Sequence, residues 1–183
     1  MTFFTDVIQR GNFVVLDTET TGLHMAEICQ IAIVGVDGDV LMDTLVKPVD
    51  RIPPDATRIH GITNAQVADA PRYSDIHEQI YEILYGRDVI VYNAAYDRKM
   101  LHLSAQACGV PKTDWKVISH WHCAMEAFSE IYGERGGYGK SYRFQKLSTA
   151  ARYYHVSQPV AHTALADCMT TLAVCKAMLA QGD

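Results

Sequence analysis

A chain of 183 residues can bury about 70% of its unfolded surface around one core, so a single domain over residues 1–183 is expected without disulfide or metal staples. Its formal charge of −5 excludes broad electrostatic coating of a nucleic-acid duplex, but not a site that grips phosphate through bound cations. The five cysteines are odd in number with no C-x-x-C spacing, Asp6 and Arg10 stand where a secretory leader would be apolar, and no apolar run approaches a membrane span. A cytoplasmic protein with reduced thiols, away from membranes, is expected.

The first regular element is Phe13-Val14-Val15-Leu16, an uninterrupted apolar, β-branched run bounded by Gly11-Asn12, the pattern of a strand covered on both faces. Asp17 and Glu19 follow two residues apart. If the strand continues through them, period-2 alternation sends both carboxylates to one side of the sheet and Thr18 to the other. Two full charges about 4 Å apart repel by about 4 kcal/mol at an effective dielectric of about 20, so such a pair either shares a proton or grips a cation. Oxygen-only ligands suit magnesium or manganese. The plainer alternative is that both acids open a polar loop turning at Thr20-Thr21-Gly22.

Glu27 to Val36 reads as a second strand and Val40 to Val46 as a third, with Asp37-Gly38 as the turn of an antiparallel hairpin, so the first three strands form a meander. Pro48, Pro53 and Pro54 then break regular structure. A short helix carries Asp55 to His60 and stops at Gly61, and Thr63 or Asn64 caps another short turn. Ile76, Ile80, Ile83 and Leu84 lie at helical spacing between Ser74 and Tyr85. Asp88 to Asn93 is again a buried strand, and Ala95 to Ala107 a helix closed by Gly109-Val110-Pro111, so strand and helix now alternate as in a parallel β-α-β unit. Trp115 to Trp121 is expected as a fifth strand, interrupted by Lys116, Ser119 and His120. Cys123 to Ile131 reads as a helix, Gly133 to Ser141 as a glycine-rich loop and Gln145 to Tyr154 as a helix. The last helix, Ala164 to Leu179, carries Leu165, Cys168, Leu172, Cys175 and Leu179 on one stripe. The expected fold class is α/β: a mixed five-stranded sheet, antiparallel in strands one to three and then parallel, flanked by helices.

Asp97, four residues after Asn93, sits just past the fourth strand where a helix begins, and ligands collect at such strand ends. By itself it reads as ordinary helix N-terminal electrostatics. His162 and Asp167 lie near the start of the last helix. Five residues apart on a helix, their side chains diverge by about 140°, so they suit different jobs: Asp167 as a ligand facing the strand ends, His162 on the entering loop as a proton acceptor. Between residues 133 and 146, Arg135, Lys140, Arg143 and Lys146 alternate with Tyr138, Tyr142 and Phe144, which suits a mobile flap along single-stranded nucleic acid or equally a solvated linker. GYGKS is not a phosphate-binding P-loop, because G-x-x-x-x-G-K-S needs glycine where Glu134 stands. His120-Trp121-His122-Cys123 lacks the second ligand pair of a zinc site.

DTETTGL, IHGIT, NAAYD and H-T-A-L-A-D, in this order and at these separations, resemble the DnaQ-like DEDD exonucleases with a histidine in the third motif, over Phe13 to about Leu179. The resemblance implies a ribonuclease-H-like fold and a 3′-to-5′ exonuclease that hydrolyses phosphodiester bonds at the 3′ end of nucleic acid, expected to be single-stranded DNA, and releases 5′-mononucleotides. It implies that Asp17, Glu19, Asp97 and Asp167 hold two divalent cations, Mg²⁺ or Mn²⁺, in a two-metal mechanism, with His162 as general base. An imidazole of ordinary pKa, about 6.5, can accept the water proton at neutral pH. Motif matching also places Thr20, Leu23, Ile59, His60, Asn93 and Tyr96 around the terminal nucleotide, with Leu23 and Tyr96 against the last base. Tyr96 stands where Phe is more usual and adds a hydroxyl near the sugar; His60 reads equally as a packed helix-end residue, and Asn93 as a tie for its strand. The alternatives are an RNA 3′-end trimmer of the same family and, in another class, a non-catalytic subunit that binds nucleic-acid ends, against which the complete set of four acids and histidine speaks. The chain ends just after the last helix, so no extra tail for binding a polymerase is expected: it is either a free-standing trimming enzyme or a proofreading partner held through its surface by a polymerase or other replication or repair protein.

Overall fold

A computed structural model describes residues 3–136, 142–157 and 162–181. Its strands β1 (Phe13–Thr20), β2 (Ile28–Gly35), β3 (Val40–Leu45), β4 (Asp88–Val91) and β5 (His120–Cys123) form one mixed sheet in the order β3-β2-β1-β4-β5. β1 pairs antiparallel with β2, and β2 with β3, whereas β1 pairs parallel with β4, and β4 with β5. β1 is therefore the seam between the two halves, and its first four residues are buried. The mixed α/β sheet expected from the element order is the one observed.

Alternation along β1 divides the core into two layers. Phe13 and Val15 face Ala32, Val34 and Ile90 beneath α1 (Phe3–Arg10), α6 (Ala124–Tyr132), α7 (Leu147–Tyr153) and α8 (Ala164–Gln181). Val14 and Leu16 join Ile31, Ile33, Val89 and Val91 beneath α3 (Tyr73–Leu84) and α4 (Ala94–Ala107). Each Val, Leu or Ile fully removed from water contributes roughly 1.5–3 kcal/mol, so both layers clamp the sheet. A third cluster of Cys29, Ile52, Ala56, Ile62 and Val67 seats α2 (Pro54–His60). Pro54 fits the first turn of α2, where no N–H is needed, and Gly61, at φ 77°, returns its N–H to the Thr57 carbonyl at 2.8 Å. α8 buries more than the single stripe its spacing suggests, including Thr170, Thr171 and Val174, because α1, α6 and α7 cover the sides the sheet leaves open.

One local expectation is corrected. Trp115 to Trp121 is not one strand: Trp115–Ile118 is a helical turn, α5, started by Asp114, whose carboxylate accepts the Lys116 N–H at 3.1 Å, and β5 begins only at His120, opposite Asp88. Residues 3–10 form α1, whose Phe4, Val7 and Ile8, at helical spacing, complete the α8 layer. Asp37-Gly38 lies in the turn of the antiparallel β2–β3 hairpin, as expected. The Gly35 N–H bonds the Asp39 carbonyl and the Gly38 N–H the Gly35 carbonyl, at 2.9 and 3.0 Å, a loop that needs glycine at position 38. Gly38 has φ 89°, a left-handed conformation that favours glycine, whereas a Cβ on Gly35 would need only the exposed Asp39 carboxylate to swing aside. The GYGKS stretch, with Tyr138 and Lys140, lies outside the described residues. All five cysteines are free, with Cys29, Cys168 and Cys175 buried. No helix among the described residues is long and apolar enough to cross a membrane.

Candidate active site

β1 runs past its apolar half, so Asp17 and Glu19 emerge on the α8 side of the sheet and Thr18 on the α4 side. The first turn of α8 brings Asp167 to the same place: one carboxylate oxygen from each of Asp17, Glu19 and Asp167 lies within 4.8 Å of the others. The start of α8 is tied to the sheet beside them. Gln30, paired with Glu19 across β1 and β2, accepts the Ala164 N–H on Oε1 and donates from Nε2 to Asp43 Oδ1 of β3, both at 3.2 Å.

Asp97, in the first turn of α4, approaches from the other layer. It is buried, and Thr18 Oγ1 donates to its Oδ1 at 2.7 Å. Asp97 stands apart from the tight group of three, yet its charge acts on both Asp17 and Glu19. Burial first, then the charges of Asp97, Asp167 and Glu19, push the Asp17 carboxyl well above the usual carboxylate range. Burial, then Asp167 and Asp97, lifts Glu19 to about 7. Burial raises Asp97 as well, opposed by the Thr18 hydroxyl. Acids that raise one another's proton affinity can all be ionised at neutral pH only beside a counter-charge. The all-oxygen donor set and its spacing fit a hard divalent cation.

His162 is exposed on the segment leading into α8, with a left-handed φ of 67°, just before Thr163, whose Oγ1 caps the Ala166 N–H at 3.3 Å. His60 is buried: its Nδ1 accepts the Ile62 N–H at 3.0 Å, which leaves the ring proton on Nε2, 3.8 Å from Cys29 Sγ and against the Thr20 carbonyl. Burial lowers its pKa, and the nearby His162 lowers it further. Thr20 Oγ1 and Tyr96 Oη both donate towards the Gly22 carbonyl, at 2.8 and 2.6 Å, and lie 2.7 Å from each other. The Tyr96 hydroxyl thus points to the loop after β1. Leu23 and Ile59 are 73% and 60% exposed. Asn93 precedes α4, its carbonyl accepting the Tyr96 and Asp97 N–H groups at 3.0 and 3.3 Å. Sequence reasoning passes over Thr18, Gln30 and Asp43. Alternation marks Thr18 as the residue of D-T-E that faces the other layer, whereas Gln30 and Asp43 acquire meaning only through strand register.

A sheet in this order, with carboxylates gathered at the end of its central strand and in the first turn of the last helix, defines a ribonuclease-H-like architecture. Residues 14–175 match the exonuclease family. The chain is 38% identical over 171 residues to the uncharacterized exonuclease CP81 of Escherichia phage 186, covering 91% of this chain and 88% of the phage protein. It is 31% identical over 177 residues to a DNA polymerase III subunit epsilon-like protein of Rhodobacter capsulatus, of which it spans only 23%. Exonuclease X, solved in complex with 5′ overhanging duplex DNA, shares 29% identity and a TM-score of 0.68 over 93% of each chain. The chain belongs to this exonuclease family, in its DnaQ-like DEDDh group, and is an enzyme of the 3′-to-5′ exonuclease class.

Proposed function

We propose that the chain removes nucleotides from the 3′ end of single-stranded DNA and releases 5′-mononucleotides, acting in the cytoplasm as one domain over residues 1–183. The observation that carries this reading is the convergence of Asp17, Glu19 and Asp167 within 4.8 Å, joined electrostatically by Asp97. These four residues would hold two divalent cations, Mg²⁺ or Mn²⁺, which when bound polarise the scissile phosphate and acidify the attacking water. His162, exposed beside the start of α8, takes the proton of that water on a ring nitrogen. Leu23 and Ile59 offer apolar surface to the terminal nucleotide, while Thr20, His60, Asn93 and Tyr96 hold the end of β1, the loop after it and the start of α4 beneath that nucleotide.

Labelled single-stranded DNA, duplex DNA and RNA, digested side by side with Mg²⁺, with Mn²⁺ and with chelator, check this reading. The expected result is single-stranded DNA shortened from its 3′ end to mononucleotides, with no cleavage in chelator or by folded Asp17→Ala. His162→Ala should keep divalent-ion binding and lose roughly 10²- to 10⁴-fold in kcat. Cleavage by Asp17→Ala or in chelator would overturn the ligand assignment, and faster cleavage of RNA would replace the substrate.

A further inference from the structure

Between α6 and α7 the described residues 133–136 and 142–146 form an anchored stem beside the end of β4. Tyr92, directly after β4 and next to Asn93, donates its hydroxyl to the Gln145 carbonyl at 2.8 Å, which fixes the base of this arm to the strand end that leads to Asp97. The stem is closed by the antiparallel bridge between Arg135 and Tyr142 and by the Arg143 N–H on the Glu134 carbonyl at 2.8 Å. Glu134 locks it, Oε1 accepting from Arg143 Nη1 and Oε2 from Gln145 Nε2, each at 2.9 Å. Between the two locked residues Phe144 is left 59% exposed, and the Arg135 guanidinium lies over the Tyr142 ring, 4.8 Å from its centre. Arg135, Arg143 and Lys146 outnumber Glu134, so this patch is cationic on a chain whose formal charge is −5.

A stem that uses both oxygens of a carboxylate to hold an aromatic ring in water contributes nothing to the core. We propose that the arm is a landing surface for single-stranded DNA on the 5′ side of the terminal nucleotide: Phe144 and the Arg135–Tyr142 pair stack on bases, while Arg135 and Lys146 neutralise phosphates. Single-stranded DNA is the occupant because flat, exposed faces need unpaired bases, and because this local charge complements a polyanion while the chain as a whole repels it. The proposal rests on the exonuclease reading, since the strand held here is the one fed to the acids.

The experiment measures fluorescence anisotropy of a labelled single strand of about twenty nucleotides on the intact protein in chelator, alongside Mg²⁺-dependent hydrolysis of that strand and of the p-nitrophenyl ester of thymidine 5′-monophosphate. Phe144→Ala and Arg135→Ala should together weaken binding of the long strand roughly ten-fold or more and raise its KM similarly, since one stacked base is worth about 1–3 kcal/mol. Hydrolysis of the small ester should stay unchanged, Phe144→Trp should restore binding, and Arg135→Ala alone should flatten the salt dependence. Unchanged long-strand binding in the folded double variant, or equal losses on strand and ester, would overturn the arm. Wild-type protein that binds the strand through the arm but cuts neither substrate would instead overturn the exonuclease reading and leave the arm standing.

Discussion

The Tyr96 hydroxyl donates to the Gly22 carbonyl, and Thr20 touches both groups. Tyr96→Phe removes one oxygen and leaves the ring in place, and Thr20 keeps its own hydrogen bond to Gly22. The loss is therefore one part-buried hydrogen bond, about 0.5–1.5 kcal/mol. Because exposed Leu23 follows Gly22 directly, the cost should fall on substrate positioning. KM for short single strands is expected to rise by about 2- to 10-fold with kcat changed less, and an unchanged KM would show that the loop is held by something else. At this scale the sequence was informative about residue type and silent about partner. The motif pattern marks Tyr96 and His60, but only the fold shows that the Tyr96 hydroxyl and the His60 ring turn towards Gly22, Thr20 and Ile62.

At the scale of elements, the placement of α8 decides whether Asp167 reaches β1. Gln30 joins β3 to the first residue of that helix, through Asp43 on one side and the Ala164 N–H on the other. Gln30→Ala should let the start of α8 shift. The expected result is a drop in kcat larger than the change in KM, a weaker response to divalent ions, and a smaller effect on melting temperature than a core truncation would have, typically 2–5 kcal/mol. Equal activity in Gln30→Ala would show that packing alone places the helix. Strands β1 and β2 and helices α3, α4 and α8 were legible because their apolar spacing is long and regular, and the short β4 because it is an uninterrupted apolar run followed by a helix. The boundary between α5 and β5 was not, since four-residue elements carry too little periodicity, and the cap at Asp114 and the pairing of His120 with Asp88 decide it. α1 left a readable spacing in Phe4, Val7 and Ile8, and it forms because α8 offers those residues a core to join.

For the whole molecule, the acidic cluster opposes folding when no cation is bound. Asp17 and Glu19 have raised pKa values in the fold, so the metal-free folded chain holds more protons than the unfolded one between the ordinary carboxyl value of 4.5 and the Glu19 value of about 7. Stability from these groups is present below that window and is lost as pH rises through it. His60 works in the opposite sense: its lowered pKa makes the folded form resist protonation, so stability is lost as pH falls below 6.5. Comparing melting temperatures with and without millimolar Mg²⁺ at each pH cancels the His60 effect. The rise caused by Mg²⁺ should be small near about pH 5 and large near about pH 8, because binding to the folded state alone stabilises it. A rise that is flat with pH would mean that the ions bind elsewhere. The sequence pointed to this cluster through four separated motifs, while the layered route by which Thr18 and Asp97 join it depends on the twofold alternation of a strand seen in place.

Three consecutive residues of β1 serve two sides of one sheet: Asp17 and Glu19 turn to α8, and Thr18 turns to Asp97 on α4. Substitution changes one side chain at a time and leaves the others aimed as before. Insertion or deletion of a single residue between Leu16 and Asp17 would instead exchange the two sides at once, aiming a hydroxyl where acid belongs and acid at Asp97. From Leu16 to Glu19, a change in length would therefore cost more than a change in any one letter.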